Sequence, residues 1–212
     1  MTLPTTPSFP EDFNISDYFL FDRLGEGKGG KCALRYGELE YSYDQVADRS
    51  LAFAAYLVSV GLRPEERVYT VLPDAPPFAW SLFGTFAAGA VAAMGNPHAP
   101  SKDLEYVIEY SRASVLVITD KAAKTLAEYL RGPGGRHLRS LVLVPDAATG
   151  QDPEGVVDSP DFSDVSFEVL PLTEALERGR QVQPVLPSTK RDDLCMWLFT
   201  SGSTLSLIHI SE

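Results

Sequence analysis

Between residues 31 and 144 strand-like and helix-like segments alternate. A short apolar run rich in β-branched residues is followed by a longer stretch with apolar side chains at helical spacing. The runs at 67–72, 91–94, 114–119 and 138–144 have strand composition. The intervening segments 76–88, one starting near Ser101, and 121–131 have helical spacing. Strands that alternate with helices favour a parallel sheet with helices on both faces. The expected fold class is therefore α/β, a mostly parallel sheet flanked by helices.

The remaining segments extend this pattern. Residues 13–24 read as an amphipathic opening, followed by a glycine-rich loop at 25–30. Strand-like runs at 31–36 and 38–41 bracket Gly37 and predict a hairpin. Ser42 with Gln45 three residues later predicts a capping box. Ala47, Leu51, Ala54 and Val58 follow helical spacing, and Gly61 is placed to stop that helix. Leu104, Val107, Ile108 and Ser111 mark one face of a helix capped near Ser101. Residues 145–164, rich in Asp, Pro and Gly, read as a surface excursion. A strand at 167–170, a helix at 173–178 and a connector at 184–193 lead to a short buried strand at 195–199. No internal repeat is present.

With 212 residues, 44% of them hydrophobic, the chain can bury one large core or two small ones. A formal net charge of −11 argues against a general nucleic-acid or anionic-membrane surface, which needs clustered Lys and Arg. Cys32 and Cys195 read as reduced core thiols, and the three histidines lack metal-ligand spacing. The polar, proline-containing start is unlike a signal peptide. The apolar run 76–94 is broken by Gly84 and Gly89, so it reads as helix plus strand and no membrane span is expected. The expected location is cytoplasmic.

Several tempting motifs fail on context. Gly25, Gly27 and Gly30 satisfy a dinucleotide-type G-x-G-x-x-G, and Gly25, Gly30 and Lys31 satisfy most of a Walker A pattern, with Cys32 in place of the magnesium-reaching hydroxyl. Both motifs need a helix N-terminus facing the phosphates, whereas strand and turn residues follow here. Asp74, Asp103 and Glu105 read as a helix-start charge or solvated face, since nothing places two carboxylates beside a substrate. Phe78, Trp80, Phe83 and Phe86 read as a packed core helix. His98 reads as a surface histidine in a strand-to-helix loop.

The segment Met196-Trp197-Leu198-Phe199-Thr200-Ser201-Gly202-Ser203-Thr204 carries more chemistry. A hydroxyl-rich turn with one glycine, directly after an apolar strand, can wrap a triphosphate with hydroxyls and backbone amides. With its approach from Arg191, the segment resembles the ATP loop of AMP-forming acyl- and aryl-CoA synthetases, the adenylate-forming superfamily. Other parts resemble its benzoate-CoA ligase branch. These are Phe13-Asn14 with 17–20 and 25–34, Leu39-Glu40-Tyr41-Ser42-Tyr43, Ala88-Gly89-Ala90-Val91 through Asn96-Pro97, and Glu109-Tyr110-Ser111-Arg112-Ala113.

The resemblance implies that residues 1–204 are a partial N-terminal AMP-binding domain of a longer ligase, the incomplete start of its large adenylating domain. It implies ATP, magnesium and CoA as cofactors, and a small carboxylic acid, benzoate-like in this branch, as substrate. The site residues it carries over are Thr200, Ser201, Gly202, Ser203 and Thr204, as a nucleotide-binding loop. No catalytic residue or metal ligand is carried over, because the loop lysine and later motifs do not follow, and the 212-residue chain is expected to be inactive. The alternatives are a fatty-acyl or amino-acid adenylating enzyme, and a truncated, non-catalytic binding or interaction protein.

Residues 205–212 are expected to be a non-native tail. Leu-Ser-Leu-Ile-His-Ile-Ser-Glu is the translation of CTGTCTCTTATACACATCTCCGAG, which resembles a transposase-adapter end, and Leu205 stands where the resembling loop has glycine.

Overall fold

The computed structural model describes residues 8–146 and 150–199. A short π-helix at Asp17–Phe21 runs into α1 (Asp22–Gly25). The antiparallel hairpin of β1 (Cys32–Tyr36) and β2 (Leu39–Ser42) turns through Gly37, whose φ of +61° needs a residue free of a Cβ penalty. Helix α2 (Tyr43–Ser59) starts on the capping box: the Gln45 amide donates to Ser42 Oγ and the Ser42 amide donates to Gln45 Oε1. It stops at Gly61, left-handed at φ +78°, with the Leu62 amide reaching back to the Leu57 carbonyl.

Beyond it come β3 (Arg67–Val71), α3 (Pro76–Ala87), β4 (Val91–Met94), α4 (Ser101–Ser111), β5 (Val115–Thr119) and α5 (Asp120–Arg131). The last elements are β6 (Ser140–Val144), β7 (Glu168–Pro171), α6 (Leu172–Gln181) and β8 (Met196–Leu198). Strands β3 to β8 form one sheet in the order β7-β6-β5-β3-β4-β8, every pair parallel.

The strands are apolar on both sides because each side meets helices. Val68, Val115, Val117, Val142 and Val144 pack with Phe53 and Leu57 of α2, Trp80 of α3 and Leu176 of α6. Their neighbours Tyr69, Val71, Leu116, Ile118, Leu141 and Leu143 pack with Leu104 of α4 and Leu126 and Leu130 of α5. The step from β3 to β4 and the steps from β4 through β7 run in opposite directions along the sheet. With crossovers of one hand, opposite steps place their helices on opposite faces, which is why α3 and α4 part company.

Some expectations are corrected. Leu51 does not belong to the buried stripe of α2; it is 40% exposed, and Val46, Ser50, Phe53 and Leu57 point inward instead. The cap residue of α4 is Pro100, which offers no side-chain bond, so Ser101 is the first helical residue rather than the cap. The final strand is an edge strand, not a buried one. It pairs only with β4 among the described residues, and Leu198 is 69% exposed. Nor are the cysteines core thiols: Cys32 is exposed and Cys195 half-buried, both free. Residues 76–94 form α3 and β4, and no helix among the described residues is long and apolar enough to cross a membrane.

Candidate functional site

In an open parallel sheet, ligands bind beyond the carboxyl ends of the strands, where neighbouring strands send their chains to opposite faces. Here that switch lies beside β3, whose chain departs to α3 while β4 and β5 feed α4 and α5 on the other face. A cavity of about 190 Å3 opens at this edge, walled by Pro73 after β3, Pro97 and His98 after β4, Thr119 at the end of β5, Lys121 in the first turn of α5, and Asp146 after β6. Three loops and the direct junction of β5 with α5 thus converge on it.

Local chemistry positions each wall. The Thr119 hydroxyl caps α5 by accepting from the Ala122 amide at 3.2 Å. Asn96 Oδ1 accepts from the His98 amide at 2.9 Å, which folds the turn after β4. Lys121 Nζ, largely exposed, lies 3.3 Å from Asp146. The wall therefore offers hydroxyls and one cation, but no nucleophile held against a base. Asp74 and Asp103 are exposed, none of Asp74, Asp103 and Glu105 lines the cavity, and His98 is a surface residue as expected.

The same edge is where β8 delivers the chain. Met94 pairs with Leu198 at the carboxyl ends of β4 and β8, and the Ala92 amide donates to the Cys195 carbonyl at 2.9 Å. Trp197 anchors this edge strand: Arg67 Cζ lies 5.7 Å from its ring centroid and the Tyr110 ring 6.2 Å away. Gly95, just past β4, sits over Tyr69; a Cβ there would be 2.3 Å from the tyrosine oxygen. Burial raises the Tyr69 phenol far above its ordinary value and also raises the Cys195 thiol, so neither is an ionised group at neutral pH.

Thr200, Ser201, Gly202, Ser203 and Thr204 lie outside the described residues, as do residues 205–212. Phe199 is the last described residue before the loop, one position past the carboxyl end of β8. The glycine-rich loop at 25–30 runs into β1, not a helix, and Glu26 pairs with both Arg23 and Lys28. It presents no helix N-terminus to a phosphate. Among the described residues no group of three or more His, Cys, Asp or Glu side chains is arranged to hold a metal ion.

Sequence reasoning missed Thr119, Lys121 and Asp146 as neighbours in one wall. Their only local signal is the Thr-x-x-Ala helix start, which marks α5 but not what its first turn faces.

Comparison with known proteins places these features. The family described as AMP-binding enzyme matches residues 21–204. The benzoate–CoA ligase of Thauera aromatica is 28% identical over 203 residues, covering 95% of this chain and 34% of that protein. A long-chain-fatty-acid–CoA ligase of Salmonella typhimurium is 26% identical over 179 residues, covering 77% of this chain and 30% of its own. The solved structure of an anthranilate CoA ligase in complex with anthranoyl-AMP superposes with a TM-score of 0.72 at 22% identity. That match covers 92% of this chain and 34% of that one, and it shows the shared fold. The chain spans about a third of the length of the curated relatives it matches.

Proposed function

The chain belongs to the AMP-binding enzyme family, and from that premise we propose that it is part of an ATP-dependent acid–CoA ligase acting on a benzoate-like acid. The observation that carries this reading is the family match, which runs through the loop 200–204. The choice of acid rests on the similarity to benzoate–CoA ligase across 95% of the chain. In the proposed reaction a carboxylate oxygen attacks the α-phosphorus of ATP; the new O–P bond forms as the bond to pyrophosphate breaks. The thiol of CoA then attacks the acyl carbon and loses its proton, the C–S bond forms, and AMP leaves with the shared oxygen.

In this reading Thr200, Ser201, Gly202, Ser203 and Thr204 hold the phosphates through hydroxyls and backbone amides, and β8 aims them from the carboxyl edge. Small-molecule acid, ATP and CoA are the partners, and the cytoplasm is the proposed location. The 212-residue chain alone is proposed to be inactive, since its relatives are about three times as long. Pyrophosphate exchange by the intact parent enzyme, run with a panel of acids, tests the substrate. Exchange that answers only to long-chain fatty acids would favour the second reading, which the Salmonella typhimurium similarity supports. Exchange with amino acids alone would favour an adenylation domain, and none at all a non-catalytic binding protein.

Residues 205–212 are proposed to be non-native. Amplifying the source DNA across the Thr204 codon from flanking primers tests this, and recovery of the same eight codons followed by a stop would defeat it.

A further inference from the structure

Residues 150–164 cross the molecule without helix or strand, carrying five carboxylates and no Lys or Arg. The whole chain is negative, so this segment has no general reason to lie on it. It is held at specific points. On the α2 side, Arg49 grips Glu154 with two nitrogens, Nη2 at 2.7 Å and Nε at 3.1 Å. On the α5 side, Lys124 pairs with Asp158, and Arg131 lies 3.6 Å from Asp164. In every pair the acid belongs to the crossing segment and the base to the helices.

One carboxylate joins the two ends of the crossing. Asp120, only 9% exposed, accepts from the Asp146 amide through Oδ1 at 3.1 Å and from the Asp158 amide through Oδ2 at 2.9 Å. Apolar anchoring is concentrated at the far end, where Phe162 packs on Phe167 and under the Arg131 guanidinium. Between Asp120 and Arg49 apolar anchoring is limited to Pro153, which is buried, and Val157, partly buried against the core; Val156 is 96% exposed. Attachment there draws on two ion pairs, the partly buried Arg49–Glu154 and the exposed Lys124–Asp158; an exposed pair is individually weak and screened by salt.

We propose that residues 150–158 form an electrostatic strap that detaches as a unit while the sheet stays folded, with Asp120 as its clasp. Segments with few buried apolar contacts open at lower free energy than the core they cover. Detachment uncovers Arg49, whose guanidinium lies 4.8 Å from the Trp80 ring centroid and 5.6 Å from that of Tyr41. The strap is therefore a removable cover over a cation resting against two aromatic rings that also touch each other.

Site-resolved hydrogen exchange on the full 212-residue chain tests this, read at the Asp158 amide and at the β5 and β6 amides. Raising ionic strength from about 0.01 M to about 1 M shortens the screening length from about 30 Å to about 3 Å and should speed Asp158 exchange by about tenfold. The β5 and β6 amides should change by less than about twofold, because their protection comes from the buried sheet. Asp120→Asn should speed Asp158 exchange by about tenfold at low salt, since a charged acceptor is lost. Lys124→Gln, on the surface, keeps the test decisive if the Asp120 variant does not fold; it should raise Asp158 exchange and lessen the salt response. Acceleration of strap and sheet amides together, or a salt-independent Asp158 amide, would overturn the strap.

Discussion

Arg139 and Glu66 form a two-pronged ion pair, with Nη1 2.5 Å from Oε2 and Nη2 2.8 Å from Oε1, that ties the entry of β6 to the turn before β3. Arg139 Nη1 also donates to the Gly61 carbonyl at 2.8 Å, so one guanidinium fixes the end of α2 as well.

The pair sets a pH dependence. The Arg139 hydrogen bond holds the Glu66 carboxyl below its ordinary value of 4.5, against the opposing effect of partial burial, and the Arg63 amide adds to the lowering. A carboxyl depressed in the folded state contributes stability above its unfolded pKa and loses it as pH falls through the lower folded value. Glu66→Gln should therefore destabilise by about 1 kcal/mol at pH 7, a modest figure because the pair is partly exposed. In urea titrations the gap between variant and parent should close as pH falls below 4.5. A gap constant across that range would rule out the charge as its source.

Gly179 of α6 crosses α2 so closely that a Cβ would lie 1.8 Å from the Ala52 carbonyl oxygen. Helix propensity alone favours alanine over glycine by about 1 kcal/mol. Overpacking against backbone reverses the sign, and Gly179→Ala should lose about 2–3 kcal/mol. Gly25→Ala, where a Cβ meets nothing within 4 Å, is the control and should leave the thermal midpoint nearly unchanged. An unchanged midpoint for Gly179→Ala would mean the two helices slide apart freely.

The Tyr56 hydroxyl lies 2.5 Å from the fully buried Ser140 Oγ and donates to Glu168 at 3.1 Å, joining α2 to β6 and β7. Burial pushes the phenol well above its ordinary value, so the network is neutral at tyrosine. Tyr56→Phe leaves the Ser140 hydroxyl without this partner and should cost about 1–3 kcal/mol. Adding Ser140→Ala should return part of that loss. Strict additivity of the two changes in a double-mutant cycle would show that the hydroxyls do not act as a pair.

At the start of α2, Ser42→Ala removes the acceptor for the Gln45 amide and should cost about 1 kcal/mol, measured as a lower denaturation midpoint. Ser42→Asp should restore most of it. No difference between the alanine and aspartate variants would place the cap's contribution elsewhere.

Much of this fold was legible because its signals are local. The capping box at Ser42 and Gln45, the stop at Gly61, and the apolar runs that became β3, β4, β5 and β6 each lie within a few residues of one another. The exposed side of β8 was not legible: Met196, Trp197 and Leu198 have the same apolar composition as a central strand, and only the pairing order makes them an edge. Leu51 misled for a related reason. Helical spacing fits more than one stripe of α2, and contact with α3 and α6 selects the stripe through Ser50, Phe53 and Leu57.

By itself the sequence determined which segments are strands and helices, and the α/β class. Those follow from side-chain periodicity and caps, which act over one or two turns of chain. Tertiary structure alone decided that Pro73, His98, Lys121 and Asp146 share one cavity wall, that Asp120 gathers the amides of Asp146 and Asp158, and that Gly179 must stay a glycine. Each joins residues far apart in the chain, and no local pattern encodes the sheet order and helix crossings that bring them together.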